Sequence, residues 1–248
     1  MNQDNARLHR STLGSARSRR NAPSSRVMCA LSLATLVLLL SGCGTTVFQS
    51  GFNSNTVGAP PSPTQLTGTI QVGGDASSVL IAGPPPNSTG NWAQIQRTAQ
   101  QESVSTMTCT FSKFLGNGTY SLTASLFIPS GSGLATVSFG TGPQGAPSYI
   151  DFLHFDFMQN NTVRINDDGK TAFGTFPRDQ VFSITVSLNI TGSNATAHMQ
   201  LFGTGASGSA DYNVTPLALA QQLGDVKFWM GYPWTGSFKV TNIVVVKQ

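Results

Sequence analysis

Beyond residue 103 the chain alternates apolar and polar positions with a period of two, the pattern of strands that bury one face. Over 119–128, Tyr120, Leu122, Ala124, Leu126 and Ile128 fall on one face, and Thr119, Ser121, Thr123 and Ser125 on the other. Over 180–190, Phe182, Ile184, Val186, Leu188 and Ile190 oppose Ser183, Thr185, Ser187 and Asn189; Ala195, Ala197, Met199 and Leu201 then alternate with Thr196, His198 and Gln200. A turn at Thr191–Asn194 pairs Ile190 with Ala195 and sets Ser187 opposite His198, so that apolar meets apolar. A slip of one residue would turn a whole face over. The same test applied to 149–166 selects a three-residue loop, Gln159–Asn161, pairing Phe157 with Val163, Phe155 with Ile165, Asp156 with Arg164 and His154 with Asn166.

Further strands are expected at 66–73, 77–82, 105–112, 134–140, 171–176, 226–232 and 237–246, with a loop at 83–92. One short helix is expected at 216–223, with Thr215 as N-cap, Pro216 at the first helical position and Gly224 beyond its end. Short half-buried strands joined by Gly- and Pro-rich turns predict an all-β fold, an antiparallel two-sheet jelly-roll sandwich.

The first 65 residues read differently. An Arg-rich stretch precedes the apolar run Val27–Leu40, which ends in Ser41-Gly42-Cys43. A membrane span needs roughly 20 apolar residues, so this run of 14 has the layout of an export signal instead. Leu40-Ser41-Gly42-Cys43 resembles a bacterial lipobox, which implies cleavage before Cys43 and a lipid on its thiol. Ser18-Arg19-Arg20 resembles a twin-arginine signal, but Asn21-Ala22 stands where hydrophobic residues belong, and general secretion is the expectation. Gly44 rather than Asp after the cysteine implies the outer membrane where the envelope has one. Gly44–Gln65 is rich in Gly, Ser, Thr, Asn and Pro and is expected to be a flexible tether. The expected organisation is therefore 1–42 signal peptide, 43–65 lipidated cysteine and tether, and 66–248 sandwich domain.

Charge and cysteine usage agree with export. The formal charge is +4, but six of the 14 basic residues and one acid lie before Cys43, leaving 8 basic and 9 acidic side chains and a net of −1. The footprint of a nucleic-acid binder is absent from the exported part. Cys109 is the one thiol there beside Cys43, and its alternation with Met107 and Phe111 makes it a core residue rather than a nucleophile. The N-x-S/T triplets from Asn87 to Asn213 are by-products of a Thr- and Asn-rich chain.

The segment Val226–Gly236 (VKFWMGYPWTG), followed by Phe238–Val246 with Asn242 before Ile243, resembles the last two strands of concanavalin A-like lectins and glucanases, and 180–203 resembles their long central pair. The resemblance implies a concanavalin A-like sandwich and activity toward carbohydrate. His154–Asn160 is similar to the metal strand of legume lectins, but only Asp156 and Asn160 fall on its positions and His154 replaces its first carboxylate. Neither a metal nor another cofactor is expected. Glucanases of this superfamily carry an E-x-D-x-x-E-type run, whereas Glu102 is the one glutamate here, and parity puts Asp151 and Asp156 on opposite faces. There is no G-x-S-x-G, and Gly169-Lys170-Thr171 lacks the first P-loop glycine, so no enzyme is expected.

Sugar binding needs an aromatic face and a few oriented polar groups. The candidates are Trp229, Tyr232 and Trp234 with His154, Asp156, Asn160 and Arg164. The competing reading packs both tryptophans under loops and leaves the sandwich as an envelope scaffold or protein-interaction module. The expected partners are thus the membrane, through a lipid on Cys43, and a glycan. Replacing Cys43 by Ser is expected to abolish the acyl mass and release the protein from the membrane fraction, as mass spectrometry of that fraction will show.

Overall fold

The period-two pattern is realised as strands whose apolar positions face one shared interior. The computed structural model describes residues 44–101, 103–140, 151–165, 171–192, 194–214 and 223–248, and among these there is no helix. The first layer runs β14 (Ser207–Val214), β13 (Asn194–Phe202), β12 (Val181–Thr191), β7 (Gly118–Phe127), β16 (Gly236–Lys247), β5 (Trp92–Arg97), β4 (Val79–Ala82), and β1 (Thr45–Ser50) also pairs with β16. The second runs β2 (Thr64–Gln65), β3 (Gly68–Gly73), β6 (Ser105–Phe111), β15 (Asp225–Met230), β8 (Ala135–Gly140), β9 (Asp151–Phe157), β10 (Thr162–Ile165), β11 (Gly174–Thr175). Every pairing is antiparallel.

The layers join where β11 pairs with β14, Gly174 opposite Gly208. Gly208 has φ 118°, and a Cβ there would meet the Cα of Gly174, so only glycine lets the two strands approach this closely. Between the layers, Phe157 from β9 meets Phe176 and Phe182 with ring centroids 5.4 and 5.6 Å away, and Phe48 from β1 lies 6.2 Å from Phe111 of β6. These aromatic contacts tie one sheet to the other across a continuous buried cluster. Cys109 is part of that cluster; burial, and secondarily the charge of Asp225, push its thiol pKa far up, so it stays a neutral core side chain.

The two registers chosen by matching faces are observed. Phe157 pairs with Val163, Asp156 with Arg164 and Phe155 with Ile165, and Met158 N–H donates to Thr162 O at 2.8 Å to close the loop. Ile190 pairs with Ala195 and Ser187 with His198. Asn166, the expected partner of His154, lies outside the described residues, as do Cys43, Glu102 and residues 216–222 of the expected helix. Leu223, its last residue, is buried and not helical.

Several expectations are corrected. The tether is not a tether, because Thr45–Ser50 forms β1 against the C-terminal strand, and Val47, Phe48 and Phe52 enter the core. Averaged composition hid three apolar side chains whose burial holds the segment down. The loop at 83–92 gives way at Trp92 to β5, whose Trp92, Ala93 and Ile95 face inward. The strand β14 was not expected, since its alternation is carried by small and polar residues. The strand expected at 171–176 shrinks to Gly174–Thr175.

Phe48 has no exposed surface. Phe48→Ala is expected to cost about 3–5 kcal/mol of unfolding free energy, measurable by denaturant titration; a tether residue would cost almost nothing.

Candidate functional site

The outward face of the second sheet carries polar side chains in cross-strand rows, two of which hold the sequence candidates. Pairing aligns Gln71, Thr108, Lys227, Ser138 and His154 in one, and Thr106, Trp229, Thr136, Asp156 and Arg164 in the other. The sequence read Trp229 as sharing the parity of Lys227, and the structure agrees: both leave the core to Val226, Phe228 and Met230. Four of the candidates, His154, Asp156, Arg164 and Trp229, therefore come together on this face.

Asp151 belongs there too, contrary to the parity expectation. A register shift between Phe139 and Gly140 inserts an extra residue on β9, so that Phe152 and Leu153 are both buried and Asp151 turns to the polar side. Bulges of this kind re-aim a side chain. Ser138 Oγ donates to Asp151 Oδ1 at 3.1 Å, Lys227 Nζ donates to Oδ2 at 3.2 Å, and Trp229 Nε1 donates to Ser138 Oγ at 3.2 Å. Lys227 Nζ also lies 5.9 Å from the Trp229 ring centroid, closing the circuit. Thr136 Oγ1 donates to Asp156 Oδ1 at 2.7 Å, and His154 Nδ1 stands 3.7 Å from the same oxygen. Sequence reasoning missed Asp151, Ser138 and Lys227; the Lys227 parity was legible, but the bulge was not.

Many members of these rows are buried although they point away from the core: Thr106, Thr108, Thr136, Ser138, Asp156 and Lys227. A buried ammonium and carboxylate are tolerated because each is hydrogen-bonded.

Trp229 points up its strand toward the aromatic turn. A Cβ on Gly231 would lie 2.8 Å from Trp229 Cζ3, so the ring rests across that glycine. Three residues beyond Trp229, Tyr232 is 77% exposed. Arg97 supports its ring, with Cζ 5.4 Å from the centroid. The guanidinium is buried and donates to Ser103 O at 3.1 Å, to Trp234 O at 2.8 Å and to Gln101 O. Trp234 is half-buried and packs on the core and on Gly133.

Asn160 sits at the exposed hairpin tip, where its Oδ1 accepts the Thr162 hydroxyl at 2.7 Å. Arg178 binds this tip to its neighbours: its guanidinium donates to Asn161 Oδ1 at 2.7 Å, to Pro129 O at 2.8 Å, to Ser132 O at 3.0 Å and to Met158 O at 3.1 Å. Desolvation lowers its pKa, partly offset by Asp179, whose own pKa is depressed by two hydrogen bonds from Ser130. His198 lies on the other layer, its Nδ1 2.7 Å from Asp211 Oδ1. Among the described residues no three His, Cys, Asp or Glu side chains gather where a metal ion could be held.

No protein-family model matches the chain, and no curated protein matches it. Its structure is similar to the catalytic domain of a glycoside hydrolase family 131 protein from Coprinopsis cinerea, at 13% identity and a TM-score of 0.54 over 83% of this chain and 95% of that one. It is also similar to basic winged bean lectin, solved with Tn-antigen, at 12% identity and a TM-score of 0.50 over 72% of this chain and 92% of that one. The fold is thus the concanavalin A-like sandwich expected from the closing strands.

Arg97 satisfies three backbone carbonyls from two loops. Arg97→Ala strands these acceptors, and a loss of about 3 kcal/mol is expected. Arg97→Lys, which keeps the charge but cannot reach all three, should recover only part of it in the same denaturation measurement.

Proposed function

We propose that this chain is an exported lipoprotein, anchored through a lipid on Cys43, whose sandwich binds carbohydrate at the aromatic turn and the adjoining polar face. The observation that carries the reading is Tyr232: a ring exposed to solvent on one side and held from the other by a buried arginine. Such a ring is set before any ligand arrives, so binding does not have to order it. Its exposed face suits the C–H surface of a sugar ring.

The polar face supplies what an aromatic alone lacks. Three residues of strand separate Trp229 from Tyr232 by at most about 11 Å, so one oligosaccharide could touch both rings. His154, Arg164 and Asp151 stand at the accessible margin of the same face and offer donors and acceptors to hydroxyls. Both neighbours in structure come from proteins whose names point to carbohydrate, one a lectin and one a glycoside hydrolase.

Binding fits this face better than hydrolysis. The bulge does bring Asp151 and Asp156 to one side, and hydrolysis requires two carboxylates. Both oxygens of Asp151, however, are already engaged by Ser138 and Lys227, and Asp156 accepts from Thr136. A carboxylate held in this way positions neighbours rather than reaching a glycosidic oxygen.

The test is a glycan array probed with the full chain and with Tyr232→Ala. The substitution is expected to remove most of the binding, with a change in stability within about 0.5 kcal/mol. Binding by neither protein would favour the scaffold reading, and equal binding by both would overturn the placement of the sugar at Tyr232; release of sugar that disappears in Asp156→Asn would make the chain a hydrolase.

A further inference from the structure

The replacement of the expected tether by β1 has a geometric consequence. Thr45 is the first residue of β1 and pairs with Lys247, which pairs in turn with Tyr120. Cys43 precedes Thr45 by two residues, and two residues reach at most about 7 Å. Resting on the proposal that Cys43 is lipidated, we infer that the end of the sandwich carrying Thr45 lies directly on the bilayer and that its exposed surface docks into the headgroup region.

The surface at that end fits such a partner. The connection between β6 and β7 is bound to the Thr45 row: Tyr120 donates its hydroxyl proton to Gly116 O at 2.9 Å, and Lys247 Nζ donates to Asn117 O at 3.2 Å. Within this connection Leu115 is buried and its N–H donates to Leu223 O at 2.7 Å, which turns the preceding Phe114 outward, where it is 54% exposed. Beside it, Gly68 pairs with Phe111 at the end of β6, and the β2–β3 turn carries Leu66, 88% exposed. Two large, exposed apolar side chains thus stand at one end of the sandwich, on backbone that is itself pinned.

Charge agrees with the same assignment. Lys113 flanks Phe114, Lys247 closes the Thr45 row, and both are exposed. Apolar side chains set among lysines are the pattern of a surface that lies in a membrane interface, the apolar groups entering the acyl boundary and the ammonium groups meeting anionic headgroups. A short lipid attachment adds what a patch of this size lacks alone, since it holds the patch at the bilayer continuously.

The arrangement also assigns an orientation. Strand β16 runs from Gly236, beside the Tyr232 turn, to Lys247 at the anchored end. Twelve residues of strand span about 40 Å. The aromatic turn and the hairpin tip at Asn160 would therefore face away from the membrane, toward whatever lies outside the anchoring leaflet.

The experiment uses the full chain, processed in a bacterial host and reconstituted into vesicles of phosphatidylethanolamine and phosphatidylglycerol. Phe114→Cys, with Leu66→Cys as an independent second position, is labelled with an environment-sensitive fluorophore and compared with Tyr232→Cys; Cys109, fully buried, does not take the label in the folded protein. Labels at 114 and 66 are expected to shift to the blue and to be several-fold less quenched by iodide than the label at 232, while a lipid-borne quencher acts only on the first two. Equal iodide quenching at all three positions in protein whose Cys43 carries the acyl mass would overturn docking and leave the anchor intact. Absence of that mass on Cys43 would overturn the anchor, and docking with it.

Discussion

The C-terminal strand is the constraint on which the sandwich depends. On one side β16 pairs with β7 from Lys239 to Lys247; on the other it must serve two neighbours in succession, β5 up to Val240 and β1 from Ile243. The hand-over falls at Asn242, which takes a left-handed φ of 51° where the register against β7 shifts. Asparagine tolerates that conformation better than most residues. Thr241 Oγ1 lies 3.2 Å from both Gly51 O and Asn91 O, the points where β1 leaves and β5 begins. Without β1 the aliphatic second half of β16 would be an open edge, a template for unwanted pairing. The segment after Cys43 is therefore part of the fold.

Where both faces of a strand carry information, the sequence was sufficient. The 151–165 hairpin was legible because its apolar face and its charged face independently demand one register, and the 180–203 pair because long alternation leaves no second solution. β1 and β14 were missed for one physical reason: Val47, Phe48 and Phe52 sit among polar residues, and Ala210 is the small member of an alternating set. Val47, Phe48 and Phe52 are buried, and β14 is held by partly buried Ala210 and Tyr212 and by buried Val214, yet composition averages such side chains away. Asp151 was misassigned for a different reason. Parity is a local rule, while the bulge that breaks it is decided by the pairing of β9 with β8. At the candidate site, then, the residue types were legible, but the network joining Asp151, Lys227, Ser138 and Trp229 was not.

That network bears on what the polar face is for. Replacing buried, paired polar groups with apolar ones of similar shape is often neutral or stabilising, so stability alone does not call for a lysine and two aspartates on a sheet. Here the charged groups share partners with Trp229: Ser138 accepts from its indole and donates to Asp151, and Lys227 touches both the carboxylate and the ring. The result is a tryptophan held by one hydrogen bond from its indole, by the Lys227 ammonium over its ring and by the ring's contact with Gly231, toward Tyr232. Fixing a ring in that way has little value to a core and considerable value to a surface that must meet a flat ligand in one orientation.

The two ends of the sandwich are built by opposite means. At the end bearing Tyr232, loops are held by arginines whose donors are spent on backbone carbonyls, Arg97 between the β5–β6 connection and the aromatic turn, and Arg178 between Pro129–Ser132 and the 158–161 hairpin tip. Each guanidinium reaches carbonyls on separate loops, so the loops lose freedom together when the chain folds, before any ligand arrives. At the opposite end the fixed backbone presents Leu66 and Phe114 to solvent, an arrangement that is unfavourable in water unless another apolar phase covers it. Rigid loops lower the ordering cost of recognition, whereas exposed apolar side chains would suit a bilayer, a partner that needs no recognition at all. A lipid on Cys43 would place a bilayer within reach of the second end and hold the first end clear of it, and the folding of residues 45–50 would then decide both where the chain is held and which surface remains available.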